Sequence, residues 1–332
     1  MRSDAMIKKV RIMPIYMNKL QLLMNRLNDD LVKQSLETEI SKMMAGFRGE
    51  DSINYFLNML PNRKECHVLH DLRIPHESTF FQIDTLIVNP EYILIIEAKN
   101  ISGNLFFDHT FNQLLRTKNG IEEPFQDPIA QAERQKYQLE NWLSKHKFPT
   151  VPIETLVVMT HSQSVLRTDD RTSRVSRKII HSVQLLDRIR EFHKKYKQRV
   201  IVSRDVMNKI TKRLIKEHTP REVDVFERYK ISKDIIIKGV QCTGCMTFAM
   251  KKGYRTWNCP HCSHSSKTSH IKALKDYSLL IQPTITNQQA RDFLKLSSVS
   301  AASKLLVSLK LPHTGTTKGR VYDLSSLIEQ QK

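Results

Sequence analysis

Apolar residues recur three and four apart at Ile53, Phe56, Leu57 and Leu60, the spacing of one buried helical face. Helical spacing extends over 15–60, and Pro61 ends it because its ring cannot continue the backbone ladder. The period then changes. Cys66–Ile74, Phe80–Val88 and Tyr92–Ala98 are dense in Val, Ile, Leu and Phe and read as strands. Asn89-Pro90-Glu91 is a connector short enough to pair the last two as a hairpin. Gly103–Phe107 is a fourth extended stretch. Asn119-Gly120 marks a tight turn between Leu114–Thr117 and Ile121–Glu123. Pro128 opens a helix running to about Trp142, and Ile153–Thr160 is apolar and β-branched enough for a buried strand. The order predicts an α/β fold, a mixed central sheet flanked by helices with a ribbon inserted. Leu185–His193 and Arg204–Glu217 add two amphipathic helices rich in basic residues.

Two of these strands contain an acid. Asp84 interrupts Phe81–Val88, and Glu97-Ala98-Lys99 ends the apolar run Tyr92–Ile96. Strand side chains alternate, so Glu97 and Lys99 share a face. Hairpin pairing through 89–91 brings Asp84 and Glu97 together near one end of the sheet. Glu50, after Gly49 at the start of the preceding helix, supplies a third carboxylate. A buried charge is costly unless it is paired or holds a metal. Carboxylates suit Mg²⁺ or Mn²⁺, hard cations that prefer oxygen ligands, and a cation beside a lysine suits attack of water on a phosphodiester.

The segments Gly46-Phe47-Arg48-Gly49-Glu50, Gln82-Ile83-Asp84-Thr85-Leu86-Ile87-Val88, Ile96-Glu97-Ala98-Lys99-Asn100 and Asp127-Pro128-Ile129-Ala130-Gln131 together resemble the NERD (nuclease-related) domain of the PD-(D/E)XK nuclease superfamily. The resemblance covers about 43–160. It implies a restriction-endonuclease-like core and a Mg²⁺-dependent site, with Asp84, Glu97 and Lys99 as the D…ExK signature. It further implies Glu50 as the helix acid and Gln131 as the polar residue on the later helix, hydrogen-bonding a phosphate or a water. Ile83 stands where the superfamily name has proline. Gln135 and Gln138 share a helical face with Gln131 and read as solvated. His67, His70, His76 and His109 fit no ligand spacing and read as structural or surface residues.

Charge divides the chain. Residues 1–162 carry 19 Lys/Arg against 20 Asp/Glu, and 163–332 carry 34 against 14. An excess of that size attracts polyanions by counterion release, so nucleic acid, DNA ahead of RNA, is the expected partner. Cys242-Thr-Gly-Cys245 and Cys259-Pro-His-Cys262 are two matched knuckles that predict a closed four-cysteine zinc ribbon with a short β-ribbon between them. A redox CxxC explains two matched pairs poorly, although His261 or His264 stands near enough to replace one cysteine. Cys66 reads as a core thiol.

Thr286-Asn287-Gln288-Gln289 is a capping-box pattern. It opens a helix burying Ala290, Phe293 and Leu294. A second helix turns Ala302, Leu305, Leu306 and Leu309 inward and Ser300, Ser303, Lys304 and Ser308 outward. With the loop 313–320 this resembles a winged helix. Ser300, Ser303, Lys304, Lys318 and Arg320 are then its nucleic-acid-binding residues. The expected organisation is a helical segment 1–42, a nuclease-like domain 43–160, a basic α/β extension 161–235, the zinc ribbon 236–270 and the winged helix 280–328. No run of 18 apolar residues occurs and Met1–Met24 lacks the apolar core of a signal peptide, so the expectation is a cytoplasmic protein without a membrane partner. The function expected is a metal-dependent nuclease acting on DNA, with C-terminal modules that grip the substrate. The alternative is a non-catalytic DNA-binding protein with a degenerate or structural nuclease-like core.

Overall fold

The structure is a computed structural model, and it describes residues 6–60, 65–108, 110–168, 174–197 and 201–329. Pro61 and His109, both read from the sequence above, lie outside these residues. Along the chain the elements are β1 (Ile7–Lys9), α1 (Ile15–Asn25), α2 (Asp30–Leu57), β2 (His67–His76), β3 (Thr79–Val88), β4 (Ile93–Lys99), β5 (Gly103–Asp108), β6 (Gln113–Lys118), β7 (Ile121–Gln126), α3 (Pro128–Lys145), β8 (Ile153–Met159), β9 (Ser164–Thr168), α4 (Arg174–Lys178), β10 (Ile179–His181), α5 (Leu185–Tyr196) and α6 (Arg204–Glu217). There follow α7 (Val225–Tyr229), β11 (Lys251–Lys252), β12 (Trp257–Asn258), β13 (Ser265–Ser266), α8 (Ser269–Leu280), β14 (Thr284–Thr286), α9 (Asn287–Leu294), α10 (Val299–Ser308), β15 (His313–Thr314), β16 (Val321–Asp323) and α11 (Ser325–Glu329). They form two compact units, Met1–Met13 with Lys42–Arg221, and Pro14–Ser41 with Glu222–Lys332.

The first unit is built on a mixed sheet in the order β1-β2-β3-β4-β8-β10. β2, β3 and β4 run antiparallel, whereas β1 lies parallel to β2 and β4, β8 and β10 are parallel neighbours. Alternation along β4 sends Ile93 and Ile95 to a core shared with Leu139 and Trp142 of α3 and with Met207, Ile210 and Leu214 of α6. It sends Leu94 and Ile96 to a second core with Ile53 and Leu57 of α2 and Leu185 and Ile189 of α5. Helices therefore cover both faces, as the sequence order predicts. A smaller sheet, β7-β6-β5-β9, carries the inserted ribbon. Its β6–β7 turn places Asn119 at φ 54° and Gly120 at φ 75°, the conformation a two-residue hairpin requires.

The central sheet has one irregularity. Leu69 and Leu72, three apart, lie in the same core, as do Ile83 and Leu86. A regular pleat puts residues three apart on opposite faces. The alternation therefore slips by one residue in both paired strands, at 70–71 and 84–85. Asp71 adopts φ 51° at this slip, a left-handed conformation that Asp tolerates better than most residues.

The second unit begins with α1, which buries Met17, Leu20 and Leu23. Among its described residues, three short strands pair in the order β11-β12-β13, the β11–β12 hairpin turning over 253–256. From α8 onward the order is helix, strand, two helices, two strands and a last short helix. The strands form an antiparallel sheet in the order β14-β16-β15. The capping box is present: the Gln289 N–H donates to Thr286 Oγ1, and the Thr286 N–H donates to Gln289 Oε1 at 2.8 Å. Ala302, Leu305 and Leu306 are buried, and Leu309 is half-buried at the end of α10.

Candidate functional site

β3 and β4 place the central acids. Their ladder runs from Val88↔Ile93 to Thr85↔Ile96 and stops there. The next register position sets Asp84 opposite Glu97. Here the Ala98 N–H donates to the Asp84 carboxylate, Oδ2 at 3.0 Å, in place of a backbone carbonyl. The side chain thus satisfies the amide released where the strands part.

Glu97 is 2% exposed and lies on the β4 face that α3 covers. Gln131 Nε2 donates to its Oε1 and Gln135 Nε2 to its Oε2, both at 2.7 Å. Lys99 Nζ is 2.7 Å from Glu97 Oε1 and donates to Gln131 Oε1 at 3.0 Å. Asp127 caps α3 by accepting from the Ile129 N–H at 2.8 Å, with Pro128 in the first turn, which fixes where the helix starts and so where Gln131 and Gln135 fall. The sequence reading of Gln135 as solvated is corrected. It is buried against Glu97, because the polar face of α3 meets a buried carboxylate there. The Gln131 amide, expected on a phosphate or a water, spans Lys99 and Glu97.

Glu50 arrives on α2, in the C-terminal half of a helix that begins at Asp30, and not at a helix start as the sequence reading had it. A Cβ at Gly49 would lie 2.4 Å from Asn100 Cβ and 2.6 Å from Thr160 Oγ1, so only glycine lets the helix approach the end of β4 this closely. The Asn100 amide donates to the Ala45 carbonyl at 2.6 Å and holds the approach.

Arg11, Asp71 and Gln135 were not singled out from the sequence as site residues. Beyond β1, Arg11 enters the sheet irregularity with its side chain 1% exposed. Its Nη1 pairs with both Glu50 and Asp71. Its Nη2 donates to the Asp84 carbonyl at 2.8 Å and to Thr85 Oγ1 at 3.2 Å. Asp71 carried a readable signal, an acid inside the apolar run 68–74, the same signal that marks Asp84. Gln135 is one helical turn from Gln131. Arg11 carried none.

Electrostatics follows from the crowding. Burial, then the charges of Glu97 and Glu50, raise the Asp84 carboxyl well above its ordinary value. Burial pushes Glu50 up to about 7, with Arg11 opposing and Asp71 and Glu97 adding. Four carboxylates, Glu50, Asp71, Asp84 and Glu97, thus face three cations, Arg11, Lys99 and, beside Asp71, Lys9. A site of oxygen donors with surplus negative charge fits a hard divalent cation. Gln135 Oε1, buried and without a hydrogen-bond partner, leaves an acceptor for a water in its shell. The oxygens of Asp84, Glu97 and Glu50 do not all lie within 4.8 Å of one another. Among the described residues the set of three or more candidate ligands that closes to that distance is Cys242, Cys245, Cys259 and Cys262.

Those four sulfurs include Sγ–Sγ separations of 3.6 Å for Cys242–Cys262 and 3.5 Å for Cys245–Cys259. Disulfide sulfurs lie at about 2.05 Å. A tetrahedron with Zn–S of about 2.3 Å has edges of about 3.8 Å, so the cluster fits zinc. Thr243 Oγ1 lies 2.9 Å from His264 Nε2, which orients that ring outside the sulfur set.

The remaining expected residues are placed as follows. Ser300 and Lys304 are exposed on α10. Ser303, expected to face outward, is half-buried and accepts from Asn287 Nδ2 at 2.8 Å, tying α10 to α9. Arg320 is half-buried before β16, and the Lys318 side chain is not among those described. His67 and His70 are buried. His67 Nδ1 is 2.9 Å from Thr211 Oγ1, and His70 Nδ1 is 3.0 Å from Thr85 Oγ1. Cys66 is buried, and burial raises its thiol to about 11.

Residues 45–160 match the family model of NERD, the nuclease-related domain. The chain therefore contains a nuclease-related domain, and it holds Glu50, Asp71, Asp84, Glu97, Lys99, Gln131 and Gln135. Comparison with curated proteins and with solved structures gave no match.

Proposed function

We propose that the chain is a metal-dependent nuclease that hydrolyses phosphodiester bonds in DNA. The first unit cleaves, and a zinc ribbon and winged helix in the second unit grip the substrate. The observation that carries the reading is Glu97. It is a buried carboxylate with an amide donor on each oxygen, beside Lys99, at the point where β3 and β4 part and Asp84 faces it.

Asp84 and Glu97 would hold Mg²⁺ or Mn²⁺, with Glu50 reached through water because Arg11 already occupies its carboxylate. A divalent cation there supplies Lewis acidity toward a phosphoryl oxygen and toward water. Lys99, partly exposed at the mouth of the site, orients the attacking water and offsets charge developing on the phosphate. Gln131 and Gln135 position Glu97, and Gln131 also positions Lys99. Arg11 offsets part of the charge of Glu50 and Asp71 behind the reacting groups.

The four-cysteine cluster supports a structural zinc site. The order α8-β14-α9-α10-β15-β16, with β16 central in its sheet, supports the winged helix. Ser300, Lys304 and Arg320, together with Lys318, are its proposed contacts with nucleic acid. No helix among the described residues is long and apolar enough to cross a membrane. Thiolate ligands suit a reducing compartment, and we assign the protein to the cytoplasm.

The test is incubation of purified protein with plasmid, linear and single-stranded DNA in Mg²⁺, Mn²⁺ or EDTA. Cleavage should need the metal, and Asp84→Ala or Glu97→Ala should abolish it. EDTA-resistant cleavage, or an Asp84→Ala protein as active as wild type, overturns the reading. The pairing of Glu50 with Arg11 favours one rival, a DNA-binding protein whose nuclease-like core is structural. That rival predicts binding without cleavage under every metal condition.

A further inference from the structure

The β11–β12 hairpin presents a surface that none of the foregoing roles uses. Its turn carries Tyr254, 91% exposed, with the Arg255 guanidinium 5.3 Å from the ring centroid. The turn is closed by the Gly253 N–H donating to the Thr256 carbonyl at 2.8 Å. Its base is braced by Trp257, which is buried, and Lys252 Nζ lies 5.9 Å from the Trp257 ring. A tyrosine displayed in this way covers no core, and burying it against a flat apolar partner is favourable.

The same hairpin forms one wall of a groove of about 800 Å³ within the second unit. Lys251, Lys252 and Gly253 line that wall, with Pro260 and His261 from the second cysteine knuckle. Lys295, Ser297 and Ser298 of the α9–α10 turn also line the groove. None of the lining residues is acidic. Among the described residues none of Lys251, Lys295 and Arg255 forms an ion pair, so their charge is available to a ligand.

We infer that the hairpin tip and this groove form a binding site for single-stranded nucleic acid. The phosphates follow Lys251, Lys252 and Lys295, and an unpaired base stacks on Tyr254. The combination selects the strand state. Lysines attract any phosphate backbone, but an aromatic face takes a base only when that base is free of its partner strand. Duplex has no such base to give. The inference rests on the nucleic-acid reading above and narrows it, assigning single strands to the ribbon and leaving the outer face of α10 to other contacts.

The experiment uses the full chain without added divalent metal, so that nothing is cleaved. Fluorescein-labelled single-stranded DNA, single-stranded RNA of the same sequence and a DNA duplex are titrated by anisotropy at several salt concentrations. Tyr254→Ala should weaken single-strand binding about 5- to 150-fold, the loss of one stacked base, and change duplex binding less than about twofold. Tyr254→Phe, which keeps the ring, should bind as wild type. Lys251→Gln and Lys295→Gln should each lower the slope of log affinity against log salt for single strands by about 0.7. The DNA and RNA arms show which strand the site takes. Equal loss of single-strand and duplex binding in Tyr254→Ala, or no loss of either, overturns the inference. Cleavage assays separate the two readings. Metal-dependent cleavage with an indifferent Tyr254 removes the groove and leaves the nuclease, whereas a Tyr254-dependent single-strand affinity without cleavage does the reverse.

Discussion

Glu97 holds both oxygens in hydrogen bonds while burying its charge, and Lys99 draws on the same oxygen as Gln131. Lys99→Ala leaves Asp84 and Glu97 in place. It should keep metal affinity near wild type by calorimetry and lower the cleavage rate by about 10²–10⁴-fold, the range for losing one positioned catalytic group. His70 gives a pH-dependent test of the same region. Burial, with Arg11 and Lys9 adding, lowers it from 6.5 to about 3, so it is neutral in the fold. Below pH 6.5 the unfolded chain takes up a proton that the folded chain refuses. The histidine's contribution to stability therefore falls as pH drops, by about 2 kcal/mol at pH 5. Glu50 runs the other way: its raised carboxyl makes the fold less stable as pH rises from 4.5 to about 7. Urea unfolding of His70→Asn at pH 7 and pH 5 should show a loss between the two about 2 kcal/mol smaller than in wild type. An unchanged difference would mean that His70 is not neutral in the fold. The pattern of acids in apolar strands was enough to place Asp84 beside Glu97 and Lys99 where the two strands part. Gln135 was misread because a glutamine on a polar helical face looks solvated until the buried carboxylate beneath it is known.

At the scale of elements, the approach of α2 to β4 depends on one missing side chain. Gly49→Ala forces its Cβ against the Cβ of Asn100, which cannot swing away as a long side chain would. The helix should shift and carry Glu50 with it, costing about 1–3 kcal/mol of stability as overpacking does. Thermal unfolding of Gly49→Ala beside Gly46→Ala checks this. At Gly46 a Cβ meets nothing within 4 Å, so that change should be neutral or slightly stabilising. The cysteine knuckles offer a second test. Metal analysis should find about one zinc per chain, and Cys259→Ser should lose it and loosen residues 240–265 to proteolysis. A zinc-free protein with that segment equally protected would contradict the assignment. The paired C-x2-C knuckles were legible in advance because they are a local pattern, whereas the demand for glycine at 49 comes from Asn100 and Thr160, distant in sequence.

For the whole molecule, charge and connectivity divide differently from the sequence order. Residues 163–221 carry 17 Lys/Arg against 6 Asp/Glu and belong to the unit with the nuclease-related domain. The first unit should therefore contribute measurably to salt-dependent binding alongside the C-terminal modules. The second unit is joined through Arg26. Its guanidinium donates to Asp276 Oδ2 at 2.7 and 3.1 Å and to the Ile237 carbonyl at 2.7 Å. Phe248 and Phe293 lie on it at 4.5 and 4.7 Å. The pair is buried, so Arg26→Ala strands Asp276 and should destabilise this unit by about 3–5 kcal/mol, read by calorimetry of the full chain. By the same reasoning a fragment of 235–332 should unfold less cooperatively than one that also carries 14–41.

The sequence by itself determined the features whose causes lie within a few residues. The two hydrophobic periods, the Asn119-Gly120 turn, the Asp127 and Thr286 caps, the cysteine spacing and the shared face of Glu97 and Lys99 all follow from local backbone preference and alternation. Tertiary structure alone decided where Arg11 and Arg26 go. The Arg11 side chain meets hydrogen-bond partners 39 to 74 residues away, and that of Arg26 meets hydrogen-bond partners 211 to 250 away. It also decided that Gln135 is buried, that the strand alternation slips at Asp71 and Asp84, and that Pro14–Ser41 packs with the C-terminal region. No local preference specifies these. A buried charge goes wherever the assembled fold leaves an opposite charge or an unpaired carbonyl without water, and that need exists only once the sheet and helices have closed.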